Sequence, residues 1–403
     1  MRKIGTIGWT LGLALFCVFV GMSSVAFAED AKPASPALNV DELKKALGLS
    51  IYLQGGYTYN ADAGTPPGAD SEQNDLRVLD HKANSFTLDL VEMVFQKDPD
   101  LGGAGFKVKF SAGETAKWIH SRGLSGEPLD QPQTGDNTTP FDLTEAYISY
   151  NAAIGKGLRF DAGKFGTFIG AEVMEALDDP NYSRSFLFNY AEPLTHTGVK
   201  MGYAFSDAVS AALFFVNGWD NSTDNNRGKS YGASVTFAPA EIFSIIVNGI
   251  TGPEQDETAA LTQGAHNNRA LLDVVATIKP IKNLSLILNT DNGSEQNAVI
   301  LPTGAVASAT WSGISGIVKY DFNDTYSLAV RGETFGDKDG ARTGTIQRVK
   351  EITVTTDIRM KNGIVIRPEY RHDSSTAQVF DYFNDAPTKN QQNTVALAVM
   401  YRW

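Results

Sequence analysis

The chain has 403 residues, 42% of them hydrophobic and 20% charged, with a formal net charge of −12, 38 glycines and one cysteine. So acidic a balance speaks against nucleic acid as a partner, which calls for a basic stripe, and a single cysteine excludes a disulfide framework. Past the first residues, no segment approaches the ~20 apolar residues of a membrane-crossing helix.

Arg2 and Lys3 precede the apolar run LGLALFCVFVGM, which is followed by Ala26-Phe27-Ala28. A charged region, an apolar region and a small-residue cleavage site predict a secretory signal peptide over residues 1–28, cut after Ala28. Lipidation at Cys17 is a weaker reading because Phe16 is bulky where a small residue is expected; an uncleaved helical anchor is a further alternative. Removal of residues 1–28 leaves 32 basic and 46 acidic residues, a net charge of −14 and no cysteine. An exported chain without disulfides needs a large core or a closed sheet for its stability. Residues 29–48 read as a separate piece: AEDAKPASPALN is a flexible Pro/Ala-rich start, and VDELKKALG is a short amphipathic helix.

From Leu49 the period of hydrophobicity changes from helical to two. Sixteen strands are predicted, at about 49–59, 85–96, 104–113, 141–151, 157–166, 196–206, 208–217, 229–238, 241–251, 269–279, 282–291, 310–321, 324–334, 348–360, 363–372 and 392–403. Most are near the length that crosses a bilayer when tilted by ~45°. Phe106, Val108 and Phe110 alternate with Lys107 and Lys109; Tyr231, Ala233, Val235 and Phe237 with Ser230, Gly232, Ser234 and Thr236; Tyr326, Leu328 and Val330 with Ser327, Arg331 and Glu333.

Alternation alone would also suit a soluble sandwich. The connections decide otherwise. KDPDLGG, NAAIGK, SD, AP, KPIK, DFND and KNG follow the even strands, whereas residues 60–84, 114–140, 167–195, 218–228, 252–268, 292–309, 335–347 and 373–391 follow the odd ones. Short turns alternating strictly with long loops predict an all-β fold: a transmembrane antiparallel up-and-down barrel of about 16 strands over residues 49–403, with short periplasmic turns and long extracellular loops. The final strand, TVALAVMYRW, then closes the barrel against the first, and Tyr401 and Trp403 fall in the interfacial aromatic girdle. Such an ending also resembles the signal read by the bacterial barrel-assembly machinery.

A barrel of this size encloses an aqueous channel, so the chemistry lies in what narrows it. The connection 167–195, TFIGAEVMEALDDPNYSRSFLFNYAEPLT, holds too many apolar residues for a solvated loop (Phe168, Ile169, Val173, Met174, Leu177, Phe186, Leu187, Phe188). Its acids Glu172, Glu175, Asp178 and Asp179 cluster, with Arg184 the one strong base, and GAEVMEALDD could form a turn or two of helix. Folded into the barrel, it would constrict the pore; packed over the mouth or on a neighbouring subunit, it would not. The inner wall is expected to carry Lys107, Lys109, Arg331, Arg359, Arg367 and Arg371 with Asp273, Glu333, Asp357 and Glu369. Acids opposite bases would set up a transverse field that sorts solutes, although pairs such as Arg367/Glu369 and Asp357/Arg359 could equally neutralise one another. Pro368 suggests a bulge in its strand, which puts the inner-face placement of Arg367 and Arg371 in question, and Lys164 is ambiguous because it shares parity with Leu158, Phe160 and Ala162.

Catalytic readings are poor. His81, His120, His196, His266 and His372 are scattered, and His120-Ser121 is only a two-residue likeness to a serine hydrolase. Asp220-Asn221-Ser222-Thr223-Asp224 alternates oxygen ligands but lacks the Gly and terminal Glu of a calcium loop, so it reads as a polar loop. No catalytic residue, cofactor or metal site is expected.

The stretch 141–239 resembles the OmpL-like β-barrel porins, called β-barrel porin family 2. The likeness rests on the segment from Ala162 to Glu172, on Asn181 to Ser185, on the HTGV strand and on VNGWD, and runs more weakly to Trp403. The resemblance implies an outer-membrane channel and says little about its solute. The expected function is a bacterial outer-membrane porin for passive diffusion of small hydrophilic solutes and ions, constricted by 167–195 and mildly cation-preferring. The alternatives are a substrate-specific channel and a structural or adhesive barrel with a blocked lumen. A plugged 22-stranded receptor does not fit this length. Expected partners are outer-membrane lipid, the assembly machinery and the permeating solutes. A homotrimer is usual for sixteen-stranded porins, though no residue specifies one.

Overall fold

A computed structural model describes residues 40–65, 72–123, 139–256, 266–301, 303–383 and 386–403; the signal-peptide reading and most of the 29–48 segment lie outside the described residues. The chain divides at Leu43/Lys44, and nearly everything described belongs to the second unit. The short helix α1 spans Val40–Leu47.

Sixteen strands pair antiparallel around a closed barrel. They are β1 (Leu49–Tyr59), β2 (Phe86–Lys97), β3 (Ala104–Ala112), β4 (Phe141–Ala152), β5 (Leu158–Gly166), β6 (Thr195–Ala204), β7 (Val209–Val216), β8 (Ser230–Ala240), β9 (Phe243–Pro253), β10 (Asn268–Ile281), β11 (Leu284–Ile300), β12 (Val306–Asp321), β13 (Tyr326–Asp337), β14 (Gln347–Arg359), β15 (Val365–Ser375) and β18 (Gln391–Arg402). Each pairs with its sequence neighbour, and β18 closes the ring between β15 and β1. The chain end is firmly held: Trp403 exchanges two backbone hydrogen bonds with Ile51, at 2.8 and 3.0 Å, and Lys44 of α1 lies 4.1 Å from its ring.

Closure explains the alternation. Along β18, Val395, Leu397 and Val399 are exposed on the outside while Ala396, Ala398 and Met400 are buried inside. Outward aromatics gather at both rims. Tyr57 meets Phe86 and Phe215 meets Tyr231 at one; Tyr203 meets Phe205 and Tyr320 meets Phe322 at the other. That distribution suits rings with one apolar and one wet end at membrane interfaces.

Two expectations need correction. Residues 292–309 are not one long loop: β11 continues to Ile300 and β12 starts at Val306. Outward Asn292, Ser294, Gln296, Ser308 and Thr310 there are polar and exposed, but strand pairing satisfies the backbone whatever the solvent, so the hairpin stands taller than a 10-residue span requires. The 373–391 connection likewise holds a separate hairpin, β16 (Phe380–Phe383) with β17 (Ala386–Lys389). Nor is GAEVMEALDD a helix. It contributes one 3₁₀ turn at Ala176–Asp178, and a π turn follows at Leu187–Ala191. Its amides find other acceptors: Gly170 N and Ala171 N donate to Asp273 and Asn289 on the wall, and Val173 N donates to Asp179.

Candidate functional site

The connection 167–194 lies inside the barrel. Its apolar side chains Ile169, Phe186, Leu187 and Ala191 pack on a patch of inward residues, Phe214, Val216, Ile250, Leu271, Trp311, Phe335 and Val349. Phe168 stacks on Phe214 with ring centroids 3.6 Å apart. A second apolar contact joins Ala176 and Tyr182 to Tyr52, Leu90, Ala396, Ala398 and Met400 across the closure seam. One face of the loop is therefore bound by burial of apolar surface, at roughly 25 cal/mol per Å² removed from water.

The polar contacts are equally dense. Glu369 accepts from Tyr182 N (2.7 Å) and Ser183 N (2.9 Å). Glu333 accepts from Phe186 N (2.6 Å) and Leu187 N (2.7 Å). Arginines take the loop carbonyls: Arg331 donates to Ser183 O, Arg367 to Ala176 O and Asn181 O, and Arg371 to Arg184 O. Buried backbone groups must be paired somewhere, and here the wall supplies the partners that a helix would have supplied internally.

The expected wall residues all sit on the barrel strands, but acids and bases are not segregated on opposite sides. Arg331 pairs with Glu172 and Glu351, each at 2.7 Å; Arg367 with Asp357 at 2.7 Å; Arg371 with Asp373 at 2.7 Å. These three arginines are at most 1% exposed. A buried guanidinium is tolerable only with carboxylates and carbonyls around it, so local pairing replaces a transverse field on this side. Arg359 lies near the short-turn end of β14, part-buried, and pairs with Asp321 and Asp357. Asp273 meets Asn248, Asn289 and Gly170 N.

Of the loop charges, Arg184 is a buried internal tie, donating to Val173 O, Met174 O and Tyr182 O and pairing with Asp179 at 3.0 Å. Glu172 joins Ser185 N to Arg331. Glu175 pairs with Lys109, which also reaches Glu92 and Glu145. Burial would push the Glu175 carboxyl up, but the ammonium of Lys109 outweighs it and holds the group below the usual carboxylate range. Asp178 is exposed and meets Arg402 at 2.5 Å.

The loop does not fill the lumen. A cavity of about 400 Å³ remains between it and β3–β5, lined among others by Lys107, Lys109, Glu145, Phe168, Glu175 and Asp178. Towards the short-turn rim, inward residues of β7–β9 are small and half-buried, including Ser210, Ala212, Ser234, Thr236 and Ser244. Lys164 is buried, donating to Leu143 O and pairing with Asp142 at 3.3 Å, which removes its ambiguity.

His120 and Ser121 do not face each other. The histidine meets Asp142 and Thr139 O, and the serine meets Thr195, so no nucleophile–base contact exists. The Asp220–Asp224 loop also has a structural part, since Asp220 accepts from Leu194 N and Thr195 N and thereby anchors the end of the lumen loop.

Several residues of the site escaped the sequence reading. Arg77, from the first long loop, is 4% exposed and bridges Asp80 and Asp373. Asp89 and Glu92 both face inward despite their spacing, because a bulge opposite Gln54/Gly55 resets the parity of β2. Tyr182 donates its hydroxyl to Asp89 at 2.8 Å. A legible signal was available for the apolar lumen patch: in Leu213-Phe214-Phe215-Val216, hydrophobic residues do not alternate, as in a strand covered on both faces.

A family model described as "Putative beta-barrel porin-2, OmpL-like" matches residues 46–403. Among solved structures, the barrel is similar to OprB of Pseudomonas putida in its high-pH form (12% identity over 94% of this chain and 100% of that one, TM-score 0.58). It is also similar to the outer-membrane channel DcaP of Acinetobacter baumannii (12%, 88% and 96%, TM-score 0.57). A third is an anion-selective porin from Comamonas acidovorans (8%, 88% and 98%, TM-score 0.56). At these identities the likeness is one of fold. No curated protein sequence matches the chain.

Proposed function

The chain belongs to the OmpL-like beta-barrel porin-2 family, and from that premise we propose that its outer-membrane channel passes small hydrophilic solutes and ions through a constriction made by residues 167–194. Porin-class channel function and outer-membrane location follow from the family and the fold, which is not that of an enzyme. The observation that carries the finer reading is the cavity of about 400 Å³ left between the inserted loop and β3–β5. Two lysines, Lys107 and Lys109, line it against four carboxylates, Glu145, Glu172, Glu175 and Asp178. With Arg331 on Glu172 and Arg402 on Asp178, these charges come near balance at the cavity, and the preference for cations rests on the acidity of the chain as a whole.

In this reading the long-loop rim faces outward and the short turns face the periplasm. Lys107, Lys109, Glu175 and Asp178 bound the eyelet, while Arg331, Arg367, Arg371, Glu333 and Glu369 act by holding the loop in place. Tyr401 and Trp403 serve the interfacial girdle and recognition by the assembly machinery; residues 1–28 are the export signal.

Single-channel conductance of the purified protein in a planar bilayer, with reversal potential under a salt gradient, tests this. Ohmic steps with mild cation preference are expected, moving towards anions in Glu175→Lys. A folded barrel that gives no steps would remove the open-channel reading and leave a blocked or adhesive barrel. A second reading, a channel for a particular partly apolar substrate, draws on Phe168, Ile169, Met174, Phe188 and Leu194, which line the same cavity. Swelling of liposomes at rates that track solute size alone would count against it.

A further inference from the structure

Behind the inserted loop, three carboxylates from different elements converge. Glu192 comes from the end of the loop, Asp273 from β10 and Asp291 from β11, and each has an oxygen within 4.8 Å of the others. All three are buried, Asp273 and Asp291 completely. Among the described residues no Lys, Arg or His makes an ion pair with any of them, in contrast to the paired acids of β13–β15.

The donors present do not account for this cluster. Asp273 accepts from Asn248, Asn289 and Gly170 N. Both oxygens of Asp291, however, are buried without a hydrogen-bond partner. So is Oδ1 of Asn248, on the same amide whose nitrogen reaches Asp273 at 2.6 Å. Buried acid oxygens that face one another need either shared protons or a cation between them.

The loop backbone is shaped around the same point. Gly170 has φ +87°, and a Cβ there would lie 1.8 Å from Oε2 of Glu192. Only glycine lets the chain pass this carboxylate in that conformation.

We propose that Glu192, Asp273 and Asp291 bind a divalent cation of the calcium class that fastens the lumen loop to β10 and β11. An all-oxygen, carboxylate-rich set suits a hard cation. Two oxygens on opposite sides of a calcium ion, each at ~2.4 Å, lie about 4.8 Å apart, so oxygens that all lie within that distance of one another can share one ion. The ion would supply the positive charge that Arg331, Arg367 and Arg371 supply on the other wall. The site concerns the seating of the loop and stands whether or not the channel conducts.

Trp311 provides a local reporter, because its indole N–H donates to Ala191 O at 3.3 Å, one residue from Glu192. The experiment is a titration of the whole folded protein, freed of metal with chelator in detergent, with Tb³⁺ as the probe and tryptophan-sensitised emission as the readout. Emission saturating at a single Tb³⁺ per chain and displaced by Ca²⁺ is expected, with its loss in Asp291→Asn. Glu192→Gln, which leaves the barrel wall untouched, is the second variant should Asp291→Asn fail to fold, and the same loss is expected there. No sensitised emission from the wild-type barrel would overturn the proposal, since the carboxylates would then be sharing protons. Emission persisting unchanged in a folded variant would also overturn it, placing the ion elsewhere.

Discussion

At the scale of single residues, the lumen works by matching each buried charge to a specific partner. Arg331 is the clearest case: it is 0% exposed and bonded to Glu172, Glu351 and Ser183 O. Arg331→Met would leave two acids without their cation, a loss of about 3–5 kcal/mol. The urea midpoint of the folded, fast-migrating form on gels should fall accordingly, and adding Glu172→Gln and Glu351→Gln should recover part of it. A second test at this scale concerns Asp75, whose carboxyl accepts from Asp381 N at 2.9 Å. Burial, aided by the charge of Asp381 against that hydrogen bond, raises it from 3.8 to about 7. The folded state therefore holds the proton more tightly than the unfolded one. Stability of this loop contact is full below about pH 4 and is lost as pH rises through 7, at up to about 1.4 kcal/mol per pH unit. Amide exchange in residues 72–83, corrected for intrinsic rates, should accelerate over that window in the wild type and stay flat in Asp75→Asn.

At the scale of elements, the deciding piece is the 167–194 connection. Its apolar excess was legible in the sequence, and so was the cluster of acids. Its conformation was not, because the partners of its amides come from distant strands: Glu333 and Glu369 lie more than a hundred residues away. A local helix signal in GAEVMEALDD lost to other acceptors: Asp273, Asn289 and Gln54 on the wall and Asp179 within the loop take its amides. Replacing residues 170–190 by a short Gly/Ser linker should raise single-channel conductance several-fold, since the obstructing element would be gone and the wall would stay closed by strand pairing. Unchanged zero conductance in a folded variant would mean that another element blocks the lumen. The extension of β11–β12 beyond the expected boundaries has a similar cause. Alternating lipid-facing hydrophobicity stops where the membrane stops, but backbone pairing continues.

At the scale of the whole molecule, closure is the principal fact. An open sheet of this size would expose two edges; here β1 and β18 pair over Tyr52–Tyr59 and Val395–Arg402. Deleting Trp403 removes both hydrogen bonds to Ile51 and the contact with Lys44. The share of folded barrel recovered from outer membranes should drop several-fold, while chain refolded in detergent should still close through the rest of β18. Recovery equal to wild type would show that the terminal aromatic plays no part in assembly.

The sequence by itself determined the sixteen-stranded barrel, the outward side of its clearest strands, and the one connection too apolar for solvent. These are local quantities, set by period two, by turn lengths and by composition. Lys107, Lys109, Arg331, Glu333, Arg367 and Arg371 could be placed on the inner face from parity alone. Only the tertiary structure decided that most of these charges are paired and covered, that Asp89 changes face at a bulge, and that Glu192 meets Asp273 and Asp291. Those facts depend on register and on where an inserted loop comes to rest, and each is fixed by contacts between residues that the sequence keeps far apart.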